Sequence, residues 1–69
     1  MPNRPGSRQI LEVLQRNGFQ AWSQKGSHLK LRSPEGRVVI VPHPSKEIPI
    51  GTVRSIIRQS GLHPREFGF

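Results

Sequence analysis

Residues 19–41, FQAWSQKGSHLKLRSPEGRVVIV, decide the fold. Within them, His28-Leu29-Lys30-Leu31-Arg32 alternates polar and apolar side chains, the period of a strand with one buried face. Leu29 and Leu31 take the buried face, so His28, Lys30 and Arg32 share the opposite one. Phe19 to Gln24 reads as the preceding strand, with Phe19 and Ala21 on one side and Trp22 on the other. Lys25-Gly26-Ser27 turns the chain between the two. Ser33-Pro34-Glu35-Gly36 is a second turn, in which Pro34 presets its own backbone angle and Gly36 tolerates a positive one. Arg37 to Val41 follows as a β-branched strand. Pro42-His43-Pro44-Ser45 stops it, and a loop runs to about Pro49.

Helical spacing flanks this region on both sides. Ile10, Leu11 and Leu14 recur on one face, with Val13 beside them, which predicts a helix over Ser7 to Asn17. Ser7 stands at the N-cap position and Gly18 at the left-handed terminus. Met1 to Gly6, with two prolines and a glycine, reads as a flexible lead-in. The second helix begins near Ile50 to Thr52, carries Ile50, Val53, Ile56 and Ile57 as its apolar stripe, and closes at Gly61. A short turn through His63-Pro64-Arg65-Glu66-Phe67 folds Phe67 back onto the core. The expected class is α+β in the order α-β-β-β-α. An antiparallel three-stranded sheet carries two helices on one face and leaves the other face open.

Size and composition narrow what such a domain can do. Sixty-nine residues form one domain. A chain this short buries only roughly 60% of the surface its unfolded form exposes, so a deep closed site is not expected and an open face is. Eleven Lys and Arg stand against four Asp and Glu, a net charge of +7. They are spread along the chain rather than gathered in a tail, which points to a folded domain with a positive face that attracts polyphosphate. There is no cysteine, so thiolate chemistry and disulfides are excluded. No apolar run approaches the roughly 20 residues that span a membrane, and the expected location is cytoplasmic. The histidines at 28, 43 and 63 match no metal-ligand spacing, so no metal or other cofactor is expected.

The ordered set Asn17-Gly18-Phe19, Lys25-Gly26-Ser27-His28, Val41-Pro42, Lys46-Glu47 and Gly51 to Leu62 resembles the HicA family of bacterial toxins. The resemblance covers about residues 7 to 67. It implies a fold like a double-stranded-RNA-binding domain, the activity of an mRNA interferase of a type II toxin–antitoxin system, and a HicB-type antitoxin as partner. It implies a catalytic role for the histidine of the Gly-Ser-His turn, here His28. In many relatives a residue separates the Val-Pro pair from the following histidine, whereas Pro42 and His43 are adjacent here. The resemblance therefore assigns His43 no role.

The chemistry of RNA fits this frame. RNA carries its own nucleophile, the 2′-hydroxyl. Cleavage needs a group to take its proton, charge stabilisation at the phosphorane, and a proton for the 5′-oxygen. Histidine titrates near neutrality in its unperturbed state, so His28 suits metal-free proton transfer, or else phosphate binding alone. Gly26 allows close backbone approach and Ser27 offers a hydroxyl or N–H, although both are also ordinary turn residues. Lys25 and Lys30 flank the histidine as phosphate ligands or as solvated surface lysines, and Arg32 continues the row. A lysine, His43 or water must supply the second proton. Arg54 and Arg58, four apart on the second helix, could grip phosphate or meet acidic groups of an antitoxin. Trp22 either stacks on an unpaired base or covers one end of the small core, and the core placement is the one expected. A non-catalytic RNA-binding module on the same surface is the alternative to an endoribonuclease, and a purely protein-binding basic face is the third reading.

Overall fold

The computed structural model describes residues 4–68. The elements are α1 (Ser7–Arg16), β1 (Gln20–Lys25), β2 (His28–Arg32), β3 (Val38–Pro42), α2 (Ile50–Ser60) and a 3-10 turn over Pro64–Phe67. The order is thus α-β-β-β-α, as the spacing predicts. The three strands form one antiparallel sheet in the order β1-β2-β3. Leu31, Val39 and Val41 point to the helical layer and meet Ile10, Leu14, Val53, Ile56 and Phe67 in a single core. Ile48, from the loop before α2, is fully buried with them.

The end of α1 shows why the chain reverses where it does. Gly18 has φ +92°. Its N–H donates to the Gln15 carbonyl, and the N–H of Phe19 donates to the Leu14 carbonyl at 3.0 Å. This pair of bonds is the Schellman termination, which places an apolar residue just past the glycine against the helix. Phe19 is that residue, and it is 3% exposed.

The start of α1 differs from expectation. Gly6 occupies the N-cap, and Ser7 is the first helical residue, buried. The Ser7 hydroxyl caps no helical N–H; it bonds His43 Nδ1 at 2.8 Å and accepts the Ser45 N–H at 3.0 Å. Residues 1–3 of the expected lead-in lie outside the described residues. Pro5 and Gly6 are anchored: Pro5 is fully buried, its carbonyl accepts the Ile48 N–H at 2.8 Å, and Gly6 passes close to the Lys46 backbone.

Strand β1 also departs from the expected alternation, since all six of its residues are exposed. Both helices pack on β3, so β1 lies beyond the layer that they cover. Within α2, Val53, Ile56 and Ile57 are core, while Ile50 stays 39% exposed. Gly61 closes α2 in the left-handed conformation, as predicted. Phe67 returns to the core at 1% exposure.

Candidate nucleic-acid interface

The outward face of the sheet carries no helix. Antiparallel partners project to the same side, so the register defines this face directly. Lys25 pairs with His28, Ser23 with Lys30, Lys30 with Ile40, and His28 with Pro42. His28 therefore sits in the middle strand, with Lys25 across on β1 and Lys30 two residues along.

One irregularity completes the arrangement. Ala21 pairs with Leu31 and Ser23 with Lys30, which leaves Trp22 as an extra residue in a β-bulge. The extra residue shifts the alternation of β1 by one. Ala21 follows Leu31 inward, whereas Ser23 and then Lys25 face outward with Lys30 and His28. Trp22 turns outward as well. Its ring lies 5.4 Å from Lys30 Nζ and 5.0 Å from the Arg32 guanidinium carbon. At 56% exposure, Trp22 does not cover the end of the core as expected; it stands on the open face beside two cations.

The turn that presents His28 is built tightly. Gly26, at φ +61°, takes the first central position of a two-residue hairpin turn, a place that favours glycine. The Ser27 carbonyl accepts the His43 N–H at 2.8 Å. The Gln24 side-chain amide donates to the His43 carbonyl at 2.9 Å and to the Gly26 carbonyl at 3.3 Å. These bonds strap the turn to the exit of β3. Gln24 has no sequence signature of this role, because its partner lies 19 residues away.

Ser23, Lys25, His28, Lys30 and Ile40 line a shallow depression. None of the four acidic residues is among them. Among the described residues the only ion pairs join Arg4 to Glu47 and Arg16 to Glu12, which leaves Lys25, Lys30 and Arg32 without a carboxylate. Among the described residues no hydrogen bond engages the His28 ring, so both of its nitrogens are open to a ligand. A phosphodiester placed here meets two ammonium groups and an imidazole, all reached from solvent.

The other expected site residues fall elsewhere. The His43 ring is tied to Ser7 of α1, and His43 does not line the depression that holds His28. Arg54 and Arg58 line a separate groove on the flank of α2, with Ile57 and Leu62 beside them. Ser55 and Gln59 occupy the opposite flank, from which the Gln59 side chain accepts the Ile40 N–H at 3.4 Å. The structure thus brings Lys25, Gly26, Ser27, His28 and Lys30 together, sets Arg32 beside Trp22 further along the same face, and keeps Arg54 and Arg58 in the helical layer. No group of three or more potential metal-ligating residues occurs among the described residues, and none of their helices is long and apolar enough to cross a membrane.

The family model described as the HicA toxin of bacterial toxin–antitoxin systems matches residues 7–62, from the first turn of α1 to just past α2. The match includes the whole sheet and its open face. A search of the curated proteins finds no match.

Proposed function

We propose, from the premise that this chain belongs to the HicA family of bacterial toxins, that it is an endoribonuclease cleaving mRNA on its open sheet face. The carrying observation is the solvent-open His28 ring between Lys25 and Lys30, with no carboxylate lining the depression. His28 takes the proton of the 2′-hydroxyl as that oxygen attacks the adjacent phosphorus. The bond from phosphorus to the 5′-oxygen breaks, leaving a 2′,3′-cyclic phosphate and a 5′-hydroxyl. Lys25 and Lys30 balance the charge that develops on the phosphorane oxygens. The proton for the 5′-oxygen comes from one of these ammonium groups or from solvent. We assign His43 no proton transfer, because its ring is bound to Ser7 outside the depression.

The residues around His28 supply ammonium, hydroxyl and imidazole groups rather than a carboxylate cluster, so the proposed reaction draws on the substrate's own hydroxyl and needs no metal. Gly26 and Ser27 bring backbone close to the phosphate, and Arg32 extends the basic row. Arg54 and Arg58, without ion partners among the described residues, suit phosphates of a longer RNA or acidic groups of the antitoxin. We read the antitoxin as a HicB-type protein that covers the open face, and the site of action as the cytoplasm. Incubating a defined RNA with wild type and with His28→Ala in EDTA tests the activity. Cleavage by the wild type alone supports it. Binding without cleavage by both proteins would instead favour a non-catalytic RNA-binding module.

A further inference from the structure

The bulge at Trp22 serves neither the core nor the proton chemistry at His28. An indole carries about 150–250 Å² that packing could bury, yet this one stands on the open face. The chain places its single Trp between two unpaired cations, on the edge of a second depression. Trp22, Gln20, Arg32, Ser33 and Pro34 contribute to the walls of that depression. The Gln20 side-chain amide has no hydrogen-bond partner among the described residues, so its donors and acceptor are free. An aromatic ring, a guanidinium and a free amide in one exposed hollow match the chemistry of a nucleobase. The base stacks on the ring, the amide bonds its edge, and the cation holds the attached phosphate.

The hollow is also correctly placed. From His28 to Arg32 the middle strand runs four residues, about 13 Å at roughly 3.3 Å per residue. RNA lying along β2 with a phosphate at His28 therefore brings a nearby nucleotide of the same strand over Trp22 and Arg32.

We propose that Trp22, Arg32 and Gln20 form a subsite for one unpaired base of the RNA, close along the strand to the phosphate that is cut. This rests on the reading of His28 as the cleavage centre for its position along the strand, but not for its existence. A base paired within a duplex presents no free face to an indole, so the subsite selects single-stranded RNA.

The single tryptophan makes the test direct. A fully 2′-O-methylated single-stranded oligoribonucleotide lacks the attacking hydroxyl and binds the wild-type protein without being cut. Its binding is followed by anisotropy of a terminal label while indole fluorescence is recorded. The expected result is saturable quenching with the single strand and none with the same strand annealed to its complement. Trp22→Ala weakens single-strand binding about 5- to 150-fold, the range that base–aromatic stacking implies. Trp22→Phe retains most of the affinity. A saturated anisotropy signal without quenching, or unchanged affinity in a folded Trp22→Ala protein, overturns the subsite. No binding at any accessible concentration overturns it as well. Cleavage of ordinary RNA is scored separately. His28-dependent cleavage that ignores Trp22 removes the subsite and keeps the ribonuclease; quenching without cleavage does the reverse.

Discussion

The Ser7 hydroxyl lies 2.8 Å from Nδ1 of His43, and this bond separates the two histidines nearest the turn by role. The same hydroxyl accepts the Ser45 N–H at 3.0 Å, so one oxygen holds both the His43 ring and the backbone of the loop after it. The Ser7 N–H in turn donates to the Ser45 carbonyl at 2.8 Å. The first turn of α1 is thereby locked to the loop after β3, while the His28 ring has no hydrogen-bond partner among the described residues. One histidine is tied into the structure, and the other is the one to which we assign the chemistry.

Ser7→Ala leaves the Ser45 N–H and His43 Nδ1 without their partner in a part-buried place. The expected loss of folding stability is about 1–3 kcal/mol, read from urea denaturation. His43→Ala should likewise lower stability yet leave the folded protein cutting RNA at close to the wild-type rate. His28→Ala should do the opposite, with an unchanged denaturation midpoint and no cleavage. A reversal of these two patterns would exchange the roles assigned here.

Phosphate contacts release counterions, so RNA affinity should fall as salt rises. For single strands each contact adds about 0.7 to the slope of log affinity against log salt. Lys25→Ala and Lys30→Ala should each flatten the slope by about that amount. Arg16→Ala, on α1 and paired with Glu12, should leave it unaltered. Titrations between low and moderate salt check this, and slopes that do not change for either lysine would place the RNA elsewhere.

Gln24 stands at one remove from the proposed chemistry. Its amide holds the carbonyls of Gly26 and His43, and through them the position of His28. Gln24→Ala should reduce kcat while leaving KM near its original value. The reduction can reach about a hundredfold, since an ångström of misplacement at a reacting group can cost that much. An equal rise in KM with kcat preserved would mean that Gln24 contacts RNA instead.

Two glycines separate conformational strain from steric conflict. At Gly26, φ is +61° and an added Cβ meets nothing within 4 Å, so Gly26→Ala costs only the left-handed strain, about 1–2 kcal/mol. At Gly6 an added Cβ lies 2.8 Å from the Lys46 carbonyl oxygen, a backbone atom that cannot swing aside. Gly6→Ala should therefore force the Pro5–Ile48 connection apart and destabilise the protein more than Gly26→Ala does. Thermal melts of the two variants give the order.

Sequence carried the fold wherever the signal was local. Alternation in residues 28–32, the Pro34–Gly36 turn, Gly18 and Gly61 each state their conformation within a few residues, and the structure agrees with all of them. It failed where the deciding partner is distant. Ser7 has the side chain of a helix cap, but its partners are 36 and 38 residues away. Strand β1 reads as half-buried because spacing cannot tell which strand the helices leave uncovered. The bulge at Trp22 has no local marker either, and it is the bulge that puts Trp22 on the same face as Lys30 and His28. The composition of the candidate site was thus legible, whereas its geometry depended on pairing register. Arg54 and Arg58 show the same limit: a shared helix flank was readable, but not its separation from the sheet face.

The most direct measurement is cleavage of a defined RNA in EDTA by wild type and by His28→Ala, with both proteins shown folded. The wild type should leave 2′,3′-cyclic phosphate and 5′-hydroxyl ends, and the variant should give no product. Equal cleavage by the two proteins, or cleavage that EDTA abolishes, would contradict the proposed reaction.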